Sequence, residues 1–282
     1  LSVIFCHAGF ELFSGGFIGV DVFFVISGFL ICRIIKFKIE RGSFSYTDFY
    51  IRRVRRILPA LTFVLILTSF FSWLWLIPED MVRYSRSLIS TLTLTSNYYF
   101  WKTSGYFDIS SQLKPLLHTW SLSIEEQFYL LFPLLLVFLF RKTNHIRLLS
   151  FLVIFFVSII LAQLGAVLYP QLTYYSLHSR IFEFILGALI PLVNFNGYLK
   201  KAKGFSLLGL ILIIFSILFF DESIVYPGFW TLIPIIGTAL ILLNNDRKSF
   251  VYKLLCTKPL VVIGLYSYSA YLYHQPIFAF AR

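Results

Sequence analysis

The chain has 282 residues, 59% hydrophobic, 20% aromatic and only 13% charged, with a formal charge of +11. Soluble domains sit near half apolar and a quarter charged, so a soluble multidomain protein is excluded. The cations cluster between apolar runs, where the positive-inside rule accounts for them, and no basic surface is left for nucleic acid.

A membrane-spanning helix needs roughly 20 mostly apolar residues, and the runs along this chain approach that length repeatedly. In order they are Leu1–Ala8, Phe17–Ile35, Ile57–Ile77, Ile124–Phe140, Leu148–Leu168, Ile181–Val193, Phe205–Phe220, Phe229–Leu243 and Leu260–Phe280. The expected fold is therefore all-α, a polytopic membrane helix bundle of about nine spans. Arg33–Arg56 reads as a connection holding eight cations, and the loops after Phe140, at Lys200–Lys203 and at Arg247–Lys258 are basic as well. The other connections are acidic or neutral, as in Ile77-Pro78-Glu79-Asp80 and Asp221-Glu222. Placing every basic loop in the cytoplasm gives a consistent alternation. It holds only if Arg83–Trp101, rich in Ser, Thr and Asn, does not cross; that stretch is expected to be outer, interfacial or re-entrant.

Cys6, Cys32 and Cys256 lie in or beside apolar runs without CxxC spacing, which reads as buried thiols without redox or metal work. No zinc-binding spacing occurs among the histidines.

Ionisable groups at the rim of hydrocarbon are costly to place, so each is a candidate for function. With this topology His7 ends one helix, Asp21 lies one turn into the next, and Glu125 opens a third. Arg180 and Glu183 open a fourth, and His274 stands in the outer half of the last. These groups gather near the outer face, with the arginines at the inner one. Each has a plainer reading. His7 can be a satisfied helix-end histidine, and Asp21 can complement a helix dipole. Arg180 and Glu183, one turn apart, can form a local ion pair. Ser123-Ile124-Glu125-Glu126 reads as a capping box, which assigns Glu126 to structure and leaves Glu125 free. Ser27-Gly28 reads as small-residue helix packing.

The ordered motifs resemble the membrane acyltransferase-3 family, of the O-antigen and exopolysaccharide acetylase type. They are His7-Ala8-Gly9, Phe17–Leu30 with Asp21, Phe49–Pro59 with its arginines, and Gly105-Tyr106-Phe107-Asp108. His118–Tyr129, Arg180–Phe184 and Tyr266–Pro276 complete the set. The family pattern has an Arg eleven positions before the His at His7, and one more helix after the His274 motif. The chain then reads as an acyltransferase-3 membrane domain over residues 1–282, truncated at both ends, with about ten spans when whole.

The resemblance implies an integral-membrane O-acyltransferase in the bacterial inner membrane, moving an acyl group, expected to be acetyl, from cytoplasmic acyl-CoA. The acceptor would be a hydroxyl of a cell-surface polysaccharide or its lipid-linked precursor. Acetyl-CoA is then a donor substrate; no bound cofactor and no metal are expected. The implied partners are acyl-CoA, the sugar acceptor and membrane lipid, and the family allows a fused periplasmic domain beyond Arg282. His7 becomes the base for the sugar hydroxyl or a transient acyl carrier, with Asp21 orienting its ring and Glu125 beside the site. Arg52, Arg53 and Arg56 become phosphate ligands of the donor, since guanidinium forks pair with phosphate bidentately. His118, Trp120, Arg180, Glu183 and His274 become cavity or acceptor residues; for Trp120 an interfacial belt is the competing account. Two rivals come from other classes. A transporter or flippase would carry inverted repeats and central polar groups, and a structural or sensor protein would have no reason to place His, Asp and Glu on one rim.

Overall fold

A computed structural model of the protein describes residues 1–104, 111–193, 204–221, 223–244 and 247–282. The Gly105–Asp108 motif, the loop cations Lys200, Lys201 and Lys203, and Glu222 lie outside the described residues. Among those described, the chain is helical and contains no strand.

The helices are α1 (Ser2–His7), α2 (Gly19–Glu40), α3 (Tyr46–Trp75), α4 (Pro78–Leu92), α5 (Ser96–Lys102), α6 (Thr119–Phe140) and α7 (Asn144–Leu168). They continue with α8 (Pro170–Tyr175), α9 (Ile181–Leu192), α10 (Phe205–Phe219), α11 (Leu232–Leu243), α12 (Phe250–Leu255) and α13 (Lys258–Ala281). Four helical segments, at Glu11–Glu40, Tyr46–Trp75, Thr119–Phe140 and Asn144–Leu168, are long and apolar enough to cross a membrane. Shorter apolar helices lie at Ile181–Leu192, Phe205–Phe219 and Phe229–Leu243. Each of the nine apolar runs falls on a helix.

Helix boundaries differ from the sequence reading where tertiary contacts extend a helix into polar sequence. The basic connection is mostly helix: α2 continues to Glu40 and α3 begins at Tyr46, capped by Ser45, whose hydroxyl accepts from the Asp48 N–H. The arginines therefore ride on the second and third turns of α3, and the helix runs through Pro59. α6 begins at Thr119, so Ser123 is interior and there is no capping box. The Ser123 hydroxyl meets the Ser96 hydroxyl at 2.8 Å and accepts from the Ser96 N–H at 3.3 Å. Of the cysteines, Cys32 is buried, Cys6 half-buried, and Cys256, where α12 hands over to α13, exposed.

The segment over residues 83–101 doubles back on itself. α4 reverses at Leu94, whose φ of 58° is left-handed, and the Tyr99 hydroxyl then donates to the Arg83 carbonyl at 2.9 Å. The turn is held at the depth of Gln127, about 12 Å along α6 from Thr119 at 1.5 Å per residue. Gln127 donates to the Leu94 carbonyl and to Asn97, at 2.8 and 3.0 Å. The Gln127 amide thus satisfies the carbonyl that the left-handed turn leaves outside the helix.

Glycines bring two helix pairs into backbone contact. A Cβ at Gly28 of α2 would lie 2.0 Å from the Phe184 carbonyl oxygen of α9, and one at Gly187 would lie 2.0 Å from that of Val25. Gly209 and Gly237 do the same between α10 and α11. The small-residue reading of Ser27-Gly28 is thus met at Gly28. A stack of Phe24, Phe184, Phe128 and Phe132, with ring centroids 4.2–4.6 Å apart, ties α2, α6 and α9 together.

Candidate active site

A cavity of about 280 Å³ runs within the bundle between α1, α2, α3, α6 and α13. Its lining includes Arg53 and Arg56 of α3, Ser121, Glu125 and Tyr129 of α6, Tyr271 of α13 and Ser2 to Ile4 of α1. The order of the α6 residues and the Arg53–Tyr129 contact put the arginines toward the Tyr129 end and Ser121 toward the other. Three histidines stand one turn beyond the Ser121 end, His7 and His274 on helices that line the cavity and His118 just before α6. His7 follows Ile4 by three residues, His274 follows Tyr271 by three, and His118 precedes Ser121 by three. From Tyr129 to His118 along α6 is about 16 Å at 1.5 Å per residue.

Hydrogen bonds fix the tautomers of two of these rings. His274 Nδ1 contacts the Tyr271 carbonyl oxygen, which can only accept, so Nδ1 carries the hydrogen. Neutral His274 then offers Nε2 as an acceptor, and His7 Nδ1 lies 3.0 Å from it. His7 Nδ1 is therefore the donor, and the lone pair of His7 sits on Nε2. The two rings stack with centroids 5.1 Å apart, and Arg282 donates to the His7 carbonyl at 2.6 Å.

His118 completes the cluster edge-on, its ring centroid 5.5 Å from His274 and 5.6 Å from Tyr271. It is 2% exposed, and neither ring nitrogen has a hydrogen-bond partner among the described residues. An unsatisfied buried polar group costs about 1–3 kcal/mol. His118 precedes the α6 span, and burial, then the neighbouring His274 and His7, hold its pKa well below the ordinary imidazole value. The Tyr271 hydroxyl bridges cavity and cluster, 2.6 Å from the Ser121 hydroxyl and donating to the His118 carbonyl at 3.1 Å.

Asp21, Arg180 and Glu183 form a second constellation, and Asp21 does not orient His7 as the sequence suggested. Arg180 Nη1 donates to Asp21 Oδ1 at 2.7 Å and to Glu183 Oε1 at 3.3 Å, and the Tyr226 hydroxyl donates to Asp21 Oδ2 at 2.6 Å. All three charged residues are at most 1% exposed. With both oxygens of Asp21 taken, His274 sets the His7 ring instead. The ion pair of Arg180 and Glu183 is present, but joined to Asp21 into a triad. The Arg180 guanidinium also lies over Tyr174, Tyr226 and Trp120, at 4.8, 5.3 and 5.6 Å from their centroids. Trp120 is thus a buried wall of the arginine cage and not an interfacial belt residue.

Glu125 sits in the second turn of α6, below the histidines, and forms a third group. Ser27 Oγ donates to its Oε1 at 2.8 Å, and the Tyr129 hydroxyl donates to the same oxygen. Arg53 lies 5.2 Å over the Tyr129 ring. Of the three arginines expected to meet the donor, Arg53 and Arg56 line the cavity, whereas Arg52 pairs with Asp48 at the surface. Sequence reasoning missed Tyr129, Tyr226 and Tyr271. Only Tyr129 carried a signal, four residues after Glu125 on one helix face.

The family model of the acyltransferase domain matches residues 1–282. An uncharacterised protein of Haemophilus influenzae is 35% identical over 243 residues, covering 82% of this chain and 99% of its own. O-acetyltransferase OatA of Staphylococcus aureus is 32% identical over 304 residues, covering all of this chain and 49% of its own. The putative peptidoglycan O-acetyltransferase YrhL of Bacillus subtilis is 34% identical over 298 residues, covering 98% of this chain and 46% of its own. The chain thus spans about half the length of OatA and YrhL. No solved structure matches. With the family match running from end to end, the chain belongs to membrane acyltransferase family 3.

Proposed function

We propose that this protein is a multi-pass O-acetyltransferase of the bacterial inner membrane, crossing about nine times over these residues. It takes acetyl from cytoplasmic acetyl-CoA and passes it to a hydroxyl of a cell-surface polysaccharide or of its lipid-linked precursor. The observation that carries this reading is the cavity that begins at Arg53 and Arg56 and ends one turn below three imidazoles. A donor with a phosphate-bearing head and a long thioester arm has both ends accommodated. The guanidinium groups face the phosphates, and the arm runs past Glu125 and Tyr129 toward Tyr271. The names of OatA and YrhL support acetyl as the group and a hydroxyl as the acceptor; YrhL's adds peptidoglycan to the candidate acceptors.

Transfer proceeds with His7 as general base. His274 holds the Nδ1 hydrogen of His7, so Nε2 meets the acceptor hydroxyl. As that oxygen bonds to the thioester carbonyl carbon, its proton passes to Nε2. The C–S bond then breaks and the proton moves on to the thiolate. His7, His274 and Tyr271 thus supply orientation and proton transfer, which is worth about 10²–10⁴-fold in such reactions. The Asp21–Arg180–Glu183 triad clamps α2 to the start of α9 and keeps the wall beside the histidines in place.

The reading is tested with full-length protein in sealed vesicles of known orientation. Labelled acetyl-CoA supplied on the arginine side should label polysaccharide acceptor on the histidine side. Labelling only when donor is added on the histidine side would overturn the assignment of the two ends.

A further inference from the structure

His118 has no part in the proton transfer from the acceptor hydroxyl through His7 to the thiolate. We propose that it is the oxyanion donor of the reaction: one ring N–H meets the thioester carbonyl oxygen and holds the charge that develops there when the hydroxyl attacks. This rests on the acyltransferase reading. Both nitrogens of His118 lack hydrogen-bond partners among the described residues although the side chain is 2% exposed, so its ring N–H is left without a protein acceptor. Its backbone is pinned independently of the ring. The His118 carbonyl accepts from the Ser121 and Tyr271 hydroxyls, at 3.1 Å each. A donor fixed before the reaction needs no reorganisation when charge appears, which is where oxyanion stabilisation gains its size.

The choice between donor and base follows from the surroundings. His7 has a carbonyl-anchored neighbour that sets its tautomer and can share a proton; His118 has none. Among the described residues, the groups facing His118 are His274 and Tyr271 from α13, Ser121 from α6 and, within the cluster, His7 of α1 with Arg282 on its carbonyl. No carboxylate appears among these groups to stabilise an imidazolium. A neutral N–H stabilises an oxyanion without changing its own charge. In the balanced step the hydroxyl oxygen bonds to the carbonyl carbon and the C–S bond breaks. The hydroxyl proton goes by way of His7 to the leaving sulfur, and His118 keeps its own hydrogen throughout. The products are an ester and a free thiol.

The test compares His118→Phe, His118→Asn and His118→Gln in the full-length enzyme with acetyl-CoA. His118→Phe should lower kcat by about 10²–10³-fold, with the KM for acetyl-CoA changed by less than about twofold. The amide of Asn can reach the place of Nδ1 and that of Gln the place of Nε2, so one of them should recover at least about tenfold of the loss. The acid limb of the pH–rate profile should stay where it is in the wild type, because His7 is untouched. An unchanged kcat in His118→Phe would overturn the assignment. So would recovery by neither amide, or an acid limb that moves in the variant that recovers activity. If the wild type itself transfers no acetyl, the acyltransferase reading fails; if it transfers normally and only these comparisons fail, the loss is confined to His118.

Discussion

A histidine pair in a helical bundle must place each ring hydrogen on an acceptor, and the chain does this by seating His274 on the carbonyl of its own preceding turn. That contact transmits a fixed tautomer to His7 across 3.0 Å. Replacing His274 by Ala should leave His7 without a set orientation and slow transfer roughly 10–100-fold, as loss of an orienting partner does elsewhere. Steady-state kcat measures this, and an unchanged value would contradict the relay. Asp21 answers to a different assay. Asp21→Asn leaves Arg180 with a weaker partner in a site at most 1% exposed, and breaking a buried pair costs about 3–5 kcal/mol. Thermal unfolding of the purified variant should report that loss, and a melting point equal to wild type would remove the triad from the stability account. His7, Asp21, Glu125, Arg180, Glu183 and His274 were legible in the sequence because an ionisable group in an apolar run is unusual. Of their pairings, only that of Arg180 with Glu183, one turn apart, was legible as well. Asp21 meets Tyr226 across 205 positions, and a tyrosine among 17 in an aromatic chain draws no notice.

Between elements, backbone approach at glycine decides the architecture. α2 and α9 touch where Gly28 faces Phe184 and Gly187 faces Val25, and a branched side chain there has to push the helices apart. Gly187→Val should lower the yield of folded protein and its melting temperature, an overpacking cost of about 1–3 kcal/mol or more. Gly264→Ala, on α13 with nothing within 4 Å of its Cβ, should stay within about 0.5 kcal/mol of wild type. Equal behaviour of the two variants would contradict the packing account. The existence of the helices was readable from apolar runs, but their ends were not. His118-Thr119-Trp120-Ser121 looks like loop by composition, yet α6 already begins at Thr119 because Thr119, Ser121 and Ser123 bond to Thr91, Tyr271 and Ser96 of neighbouring elements. The arginines after Ser45 looked like a cytoplasmic loop for the same reason, since charge hides a helix that runs out beyond its apolar length.

Across the whole molecule, one cavity lined by Arg53 and Arg56 stops a turn short of the histidine cluster, and under the proposed function that polarity gives the transfer a direction. Arg53→Ala and Arg56→Ala should each raise the KM for acetyl-CoA about 10–100-fold, the equivalent of a charge-assisted hydrogen bond of about 1.5–3 kcal/mol. Arg52→Ala, whose side chain is engaged by Asp48, should change it far less. Donor titrations of the three variants separate these outcomes, and an equal effect at all three positions would mean that only general positive charge is sensed. The most direct measurement on the central claim is the rate of labelled acetyl transfer from acetyl-CoA to polysaccharide acceptor by full-length wild type and His7→Ala at matched expression and matched donor binding. The variant should lose at least about 10²-fold. Transfer at the wild-type rate would contradict it.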